Sequence, residues 1–167
     1  MKKYIIFILA CVLTTCLFSC KGKKDKTTAE EIYEFRSQLT QEDSIAMVKL
    51  CDDAMELLKN KKFEQVLASI YEYDDSTKEA KPLSELSRKK YLKTFETFPV
   101  LEYRRKYFSF MLEGCNDVKY EVEFATAEQA GTPEPPKTAY MWNPVKIDGE
   151  WKLCLKTEHD KVDNQFR

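Results

Sequence analysis

The hydrophobic period of this chain changes once, at Pro99, and that change limits the fold more than any other feature. Before Pro99 apolar residues recur at helical spacing, and after it they alternate. Ile45, Val48, Cys51, Met55 and Leu58 are spaced 3, 3, 4 and 3, one face of a helix that Asp43 or Ser44 would cap and that runs to about Lys59. Asn60-Lys61-Lys62 breaks it, and Phe63, Val66, Leu67, Ile70 and Tyr71 line a shorter helix that ends at Tyr73-Asp74-Asp75-Ser76. Pro82 suits a first helical turn ahead of Leu83, Leu86, Tyr91, Phe95 and Phe98, and Pro99 ends that third helix. A weaker helical pattern at Glu30–Gln38 reads as a lead-in.

Beyond Pro99 the reading is of strands. Val100–Leu112 carries Leu101, Tyr103, Tyr107 and Met111 on one parity and Phe108, Phe110 and Leu112 on the other. That mixture predicts a long strand with a bulge near Tyr107. After a turn at 113–117, Val118, Tyr120, Val122 and Phe124 alternate with Lys119, Glu121 and Glu123, a half-buried strand. Thr126–Thr138 holds Gly131 and three prolines and reads as a loop. Ala139–Ile147 and Glu150–Lys156 flank Asp148-Gly149, a strong hairpin signal. Helices first and an antiparallel sheet second make the fold class α+β.

The amino terminus reads as an address. Lys2 and Lys3 precede a stretch with no charge before Lys21, the pattern of a secretory signal. The stretch ends in Leu17-Phe18-Ser19-Cys20, which resembles a bacterial lipobox, Phe18 being bulkier than usual at its position. The resemblance implies removal of residues 1–19 and lipidation of Cys20. With Lys21 rather than Asp next in the chain, it further implies the outer membrane of a Gram-negative envelope. Residues 20–42 are then expected to hold the lipidated cysteine and a flexible tether, its early lysines suited to anionic head groups. Residues 43–158 form the domain, and 159–167 a polar tail.

Within that domain, the helix bearing Met55, Leu57 and Leu58, the Asn60–Val66 break, and the closing Val145-Lys146-Ile147-Asp148-Gly149-Glu150-Trp151-Lys152-Leu153 hairpin resemble the NTF2-like (cystatin-like) fold. The resemblance implies a cone of N-terminal helices on a curved antiparallel sheet, often with a pocket inside. Tyr91, Phe95, Tyr103, Tyr120, Trp142 and Trp151 are the residues placed nearest such a pocket, where they would bind a small apolar or amphipathic ligand. The competing readings are that these aromatics fill the cone, leaving an envelope protein interaction module or homodimer, or that the domain is an isomerase or hydratase of ketosteroid-isomerase-like type. For the last, none of the 28 acidic residues stands out as turned inward, so no catalytic residue is named.

Charge and composition exclude other classes. Lys and Arg number 27 against 28 Asp and Glu, which lacks the basic excess of a nucleic-acid binder. One histidine, His159, and four glycines leave no metal cluster and no phosphate loop, so no cofactor or metal is expected. Outside the signal and Cys20, three cysteines remain. Cys115 with Cys154 is the pair named for a disulfide, and Cys51 sits on an apolar stripe as a small hydrophobe.

Overall fold

The computed structural model describes residues 26–74 and 76–155. The signal, Cys20 and the polar tail from residue 159 lie outside the described residues. Among those described, no helix is long and apolar enough to cross a membrane. The order is α1 (Thr28–Ser37), α2 (Gln41–Lys59), α3 (Phe63–Ser69), β1 (Ile70–Asp74), β2 (Glu79–Pro82), α4 (Glu85–Thr97), β3 (Glu102–Leu112), β4 (Cys115–Glu123), α5 (Ala127–Ala130), β5 (Lys137–Ile147) and β6 (Glu150–Cys154). The fold is α+β, with helices on a six-stranded sheet ordered β2-β1-β6-β5-β4-β3.

The sheet bends along β5. Its first half pairs with β4, Tyr120 opposite Tyr140 and Val118 opposite Trp142, and its second half pairs with β6. Two buried asparagines hold the changeover. Asn116 donates its backbone N–H to Asn143 Oδ1 at 2.8 Å and its amide to the Pro144 carbonyl at 2.9 Å, while Asn143 donates to the Gly114 carbonyl at 3.0 Å. Side chains thus take up backbone groups where β5 passes from one partner strand to the other. The predicted bulge is present, since the β3–β4 register slips between Arg105 and Tyr107. Asp148 (φ 51°) and Gly149 (φ 84°) both adopt the left-handed conformation a two-residue hairpin turn requires.

Several expectations need correction, and Pro82, read as opening a helix, instead ends β2 while Ser84 caps α4. The helix predicted to start at Asp43 or Ser44 is capped by Thr40, whose hydroxyl accepts from the Asp43 N–H while Asp43 reaches back to the Thr40 N–H. Its buried stripe is Met47, Cys51, Ala54, Met55 and Leu58, and Ile45 is 61% exposed. Second, Ile70 and Tyr71 belong to β1, not to the helix before it. β1 forms a hairpin with β2 and runs parallel to β6, so the sheet is not wholly antiparallel. The Tyr71-Glu72-Tyr73 alternation places both tyrosines on one side, with the second small cluster of Val145 and Cys154.

Third, residues 28–37 of the stretch assigned to a flexible tether form α1, as the weak helical pattern at Glu30–Gln38 anticipated. A capping box between Thr27 and Glu30 starts it, and Arg36 fastens it by donating to the Phe110 carbonyl of β3 at 2.6 Å. Fourth, residues 115–117 extend β4 rather than belonging to a turn. Fifth, Cys115 and Cys154 are not bridged. They lie on β4 and β6 with β5 between them, about 10 Å apart at two strand spacings, beyond a disulfide's reach.

Candidate functional site

The six aromatic residues named from the sequence do meet, but they pack as core. Phe95 enters from α4 as that helix's one buried residue. Its ring lies 6.1 Å from Phe63, 6.1 Å from Tyr91, 6.0 Å from Tyr140 and 6.5 Å from Trp142. Tyr103 and Tyr120 contact each other edge-on at 5.8 Å, and Trp151 lies 5.8 Å from Phe110. Tyr91, Tyr103 and Trp151 are half-buried against the same cluster, in which Phe95, Tyr120 and Trp142 are fully enclosed.

The polar tips of three of these rings are taken up by carboxylates of α2. Trp151 Nε1 donates to Asp43 at 3.2 Å, Tyr120 to Asp52 at 2.6 Å and Tyr103 to Glu56 at 2.7 Å. Arg105 adds a 2.5 Å contact to the other oxygen of Asp52, and Lys146 a 2.5 Å contact to Asp43. These acids are the functional groups that the sequence reading missed. Asp43 is only 9% exposed, contrary to the expectation that no acid turns inward. Thr40-x-x-Asp43 is the signal that could have found it, because a capping box fixes the third helical residue against the chain entering the helix.

Burial and hydrogen bonding move the proton affinities of Asp43, Tyr120, Tyr103 and Tyr140. The Lys146 ammonium, then the Thr40 N–H, keeps the Asp43 carboxyl down at about 2 against the cost of its burial. Burial, then the bond to Asp52, drives the Tyr120 hydroxyl well above the usual phenol range. Burial and Glu56 do the same at Tyr103, and burial pushes Tyr140 up to about 12. The arrangement ties α2 to the sheet at three points. Tyr120→Phe is expected to cost about 1–2 kcal/mol in urea denaturation, since Asp52 loses a donor while Arg105 remains. A neutral result would show that the Tyr120–Asp52 bond adds nothing to that attachment.

One donor in the core is left over. Trp142 is 2% exposed and its Nε1 has no acceptor among the described residues.

A cleft of about 610 Å³ lies elsewhere, where α1 covers the ends of three hairpins. Phe35, Leu39 and Leu112 form part of its wall, Glu31, Glu113 and Asp148 face it, and Lys26 and Lys146 line it too. None of the six predicted aromatics lines this cleft. Among the described residues no group of three or more histidines, cysteines and acids is placed to hold a metal.

No protein-family profile matches the chain, and no curated protein matches it. Among solved structures, the chain is similar to a protein from Campylobacter jejuni described as an NTF2-like transpeptidase. Identity is 12%, the match covers 70% of this chain and 100% of the other, and the TM-score is 0.40.

Proposed function

We propose that the chain is a lipid-anchored protein of the cell envelope whose domain acts through surface contacts with a partner, without catalysis. The observation carrying this reading is the interlocking of Phe95, Tyr120, Tyr140 and Trp142, with the tips of Tyr103, Tyr120 and Trp151 bonded to α2. Rings packed on one another, three of them capped from behind, favour a filled interior over a ligand site. The anchor rests on the uncharged stretch before Lys21 and on Leu17-Phe18-Ser19-Cys20, with Lys21 directing the protein to the outer membrane of a Gram-negative cell. Six residues from Cys20 to Lys26 reach about 20 Å when extended, which keeps α1 close to the bilayer.

A second reading, a small apolar or amphipathic ligand among Tyr91, Phe95, Tyr103, Tyr120, Trp142 and Trp151, is favoured by the unpartnered Trp142 Nε1. Such a ligand would carry an acceptor for that donor.

The anchor is tested by feeding cells an alkynyl palmitate analogue. Wild-type protein is expected to be labelled and membrane-bound, and Cys20→Ala unlabelled. Persistent labelling of Cys20→Ala would reject the anchor.

A further inference from the structure

We propose that the outer face of α4 lies against an anionic lipid surface, three lysines meeting the head groups and Leu86 entering between them. The proposal rests on the anchored reading above and goes beyond it by naming the face that the domain turns to the bilayer.

α4 has two faces of different character. Phe95 is its buried residue, Tyr91 and Leu92 pack against the same core, and Arg88 pairs with Glu64 of α3. At 3.6 residues per turn the opposite side carries Leu86, Lys89, Lys90 and Lys93. All four are exposed, Leu86 to 80%. None of the three lysines makes an ion pair among the described residues. Nor do Lys61 and Lys62 in the α2–α3 turn, which the contact of Phe63 with Phe95 at 6.1 Å brings alongside α4. By contrast Lys49 is matched by Asp53, Lys81 by Glu79, and Lys106 and Lys137 by Glu121. The acids of α4, Glu85 and Glu96, border the stripe on one side only. Lys89 and Lys93, one turn apart, are like charges that weaken a helix rather than support it. The stripe is therefore charged at the expense of the helix that carries it.

Three observations favour lipid over a protein or a lone anion. The stripe is the convex side of a helix and has no part in the cleft under α1, so it suits a plane of anions. An exposed leucine among lysines matches a bilayer interface, where apolar side chains enter below charged head groups. The anchor also brings that surface within reach. Lys26 and Lys78 line the same cleft, and the chain from Lys78 through β2 to the start of α4 at Glu85 spans at most about 25 Å. Tethering makes even a weak second contact effective, because the bilayer is then present at high local concentration.

The test uses the mature protein, purified from its own membranes in uncharged detergent and added to preformed vesicles. One set is phosphatidylcholine alone, the other an equal mixture with phosphatidylglycerol. Brief acetylation by a water-soluble succinimidyl ester reads the exposure of each lysine by peptide mass spectrometry. At about 0.01 M ionic strength, where charges act over about 30 Å, Lys89, Lys90 and Lys93 are expected to react at least about threefold more slowly on the anionic vesicles. Lys119, which alternates with buried Val118 and Tyr120 and so faces away from the helices, should react equally on both. Raising the ionic strength to about 1 M, where charges act over about 3 Å, should remove the difference. Leu86→Asp should remove it too, and circular dichroism checks that this exposed substitution leaves the fold intact. Equal rates on both vesicles, slowing of Lys119 as large as that of the α4 lysines, or slowing that survives Leu86→Asp would overturn the inference. Slowing in intact cells but not on vesicles would assign the face to a protein partner and overturn it equally. Protein that fails to float with phosphatidylcholine vesicles would reject the anchor itself, so the two failures are distinguishable.

Discussion

Phe95→Ala is expected to destabilise the domain by about 3–5 kcal/mol, measured as the shift of the urea midpoint at unchanged slope. Phe95 is the buried anchor of α4 and meets the rings of Phe63, Tyr91, Tyr140 and Trp142. Truncation leaves a void bounded by aromatic faces that helix and sheet cannot both close. Trp142→Ala should fall in the same range for the same reason, with the loss of its unpartnered Nε1 offsetting part of the cost. If the cluster were instead the wall of a ligand site, Phe95→Ala would leave stability nearly unchanged and alter only what the protein retains. A cost below about 1 kcal/mol would contradict the packed-core account.

The second large effect concerns Asp43. Asp43→Ala should cost about 2–4 kcal/mol, because one carboxylate completes the Thr40 capping box and accepts from Lys146 and Trp151. The pH dependence follows from the direction of the shift. The folded carboxyl is held at about 2 against an ordinary value of 3.8, so its contribution is complete above that ordinary value and is lost as pH falls through about 2. That difference corresponds to about 2 kcal/mol. Wild type is expected to lose this much stability between about pH 5 and pH 2 beyond what Asp43→Asn loses. Parallel pH profiles for the two proteins would remove Asp43 from the account.

The elements that sequence periodicity made legible are those governed by a single repeating face. The β4 alternation of Val118, Tyr120 and Val122, the Asp148-Gly149 turn and the bulge before Tyr107 all appear as expected. Elements decided by a few specific bonds were not legible this way. β1 looked like the end of a helix because Val66, Leu67, Ile70 and Tyr71 also fit a helical stripe, and only its pairing with β2 and β6 settles the matter. α1 has no buried residue, so only the weak pattern at Glu30–Gln38 announced it; the Thr27–Glu30 capping box and the Arg36 contact with β3 fix it in place.

The site divides the same way. The aromatic residues that gather in the interior were identifiable from parity. Whether they enclose space depends on how Phe95 and three α2 carboxylates fill and cap it, which parity does not encode. The Asp52–Tyr120 pair joins residues 68 positions apart, and nothing local announces it. The cleft under α1 is likewise built from turns distant in sequence.

Native mass spectrometry of the mature protein, released from uncharged detergent after purification from its own membranes, tests the central claim most directly. The account predicts the mass of the lipid-modified protein, with no further small mass lost on denaturation. A reproducible small molecule held by the folded protein and released on unfolding would contradict it, and its acceptor groups would be the natural partner for the Trp142 indole.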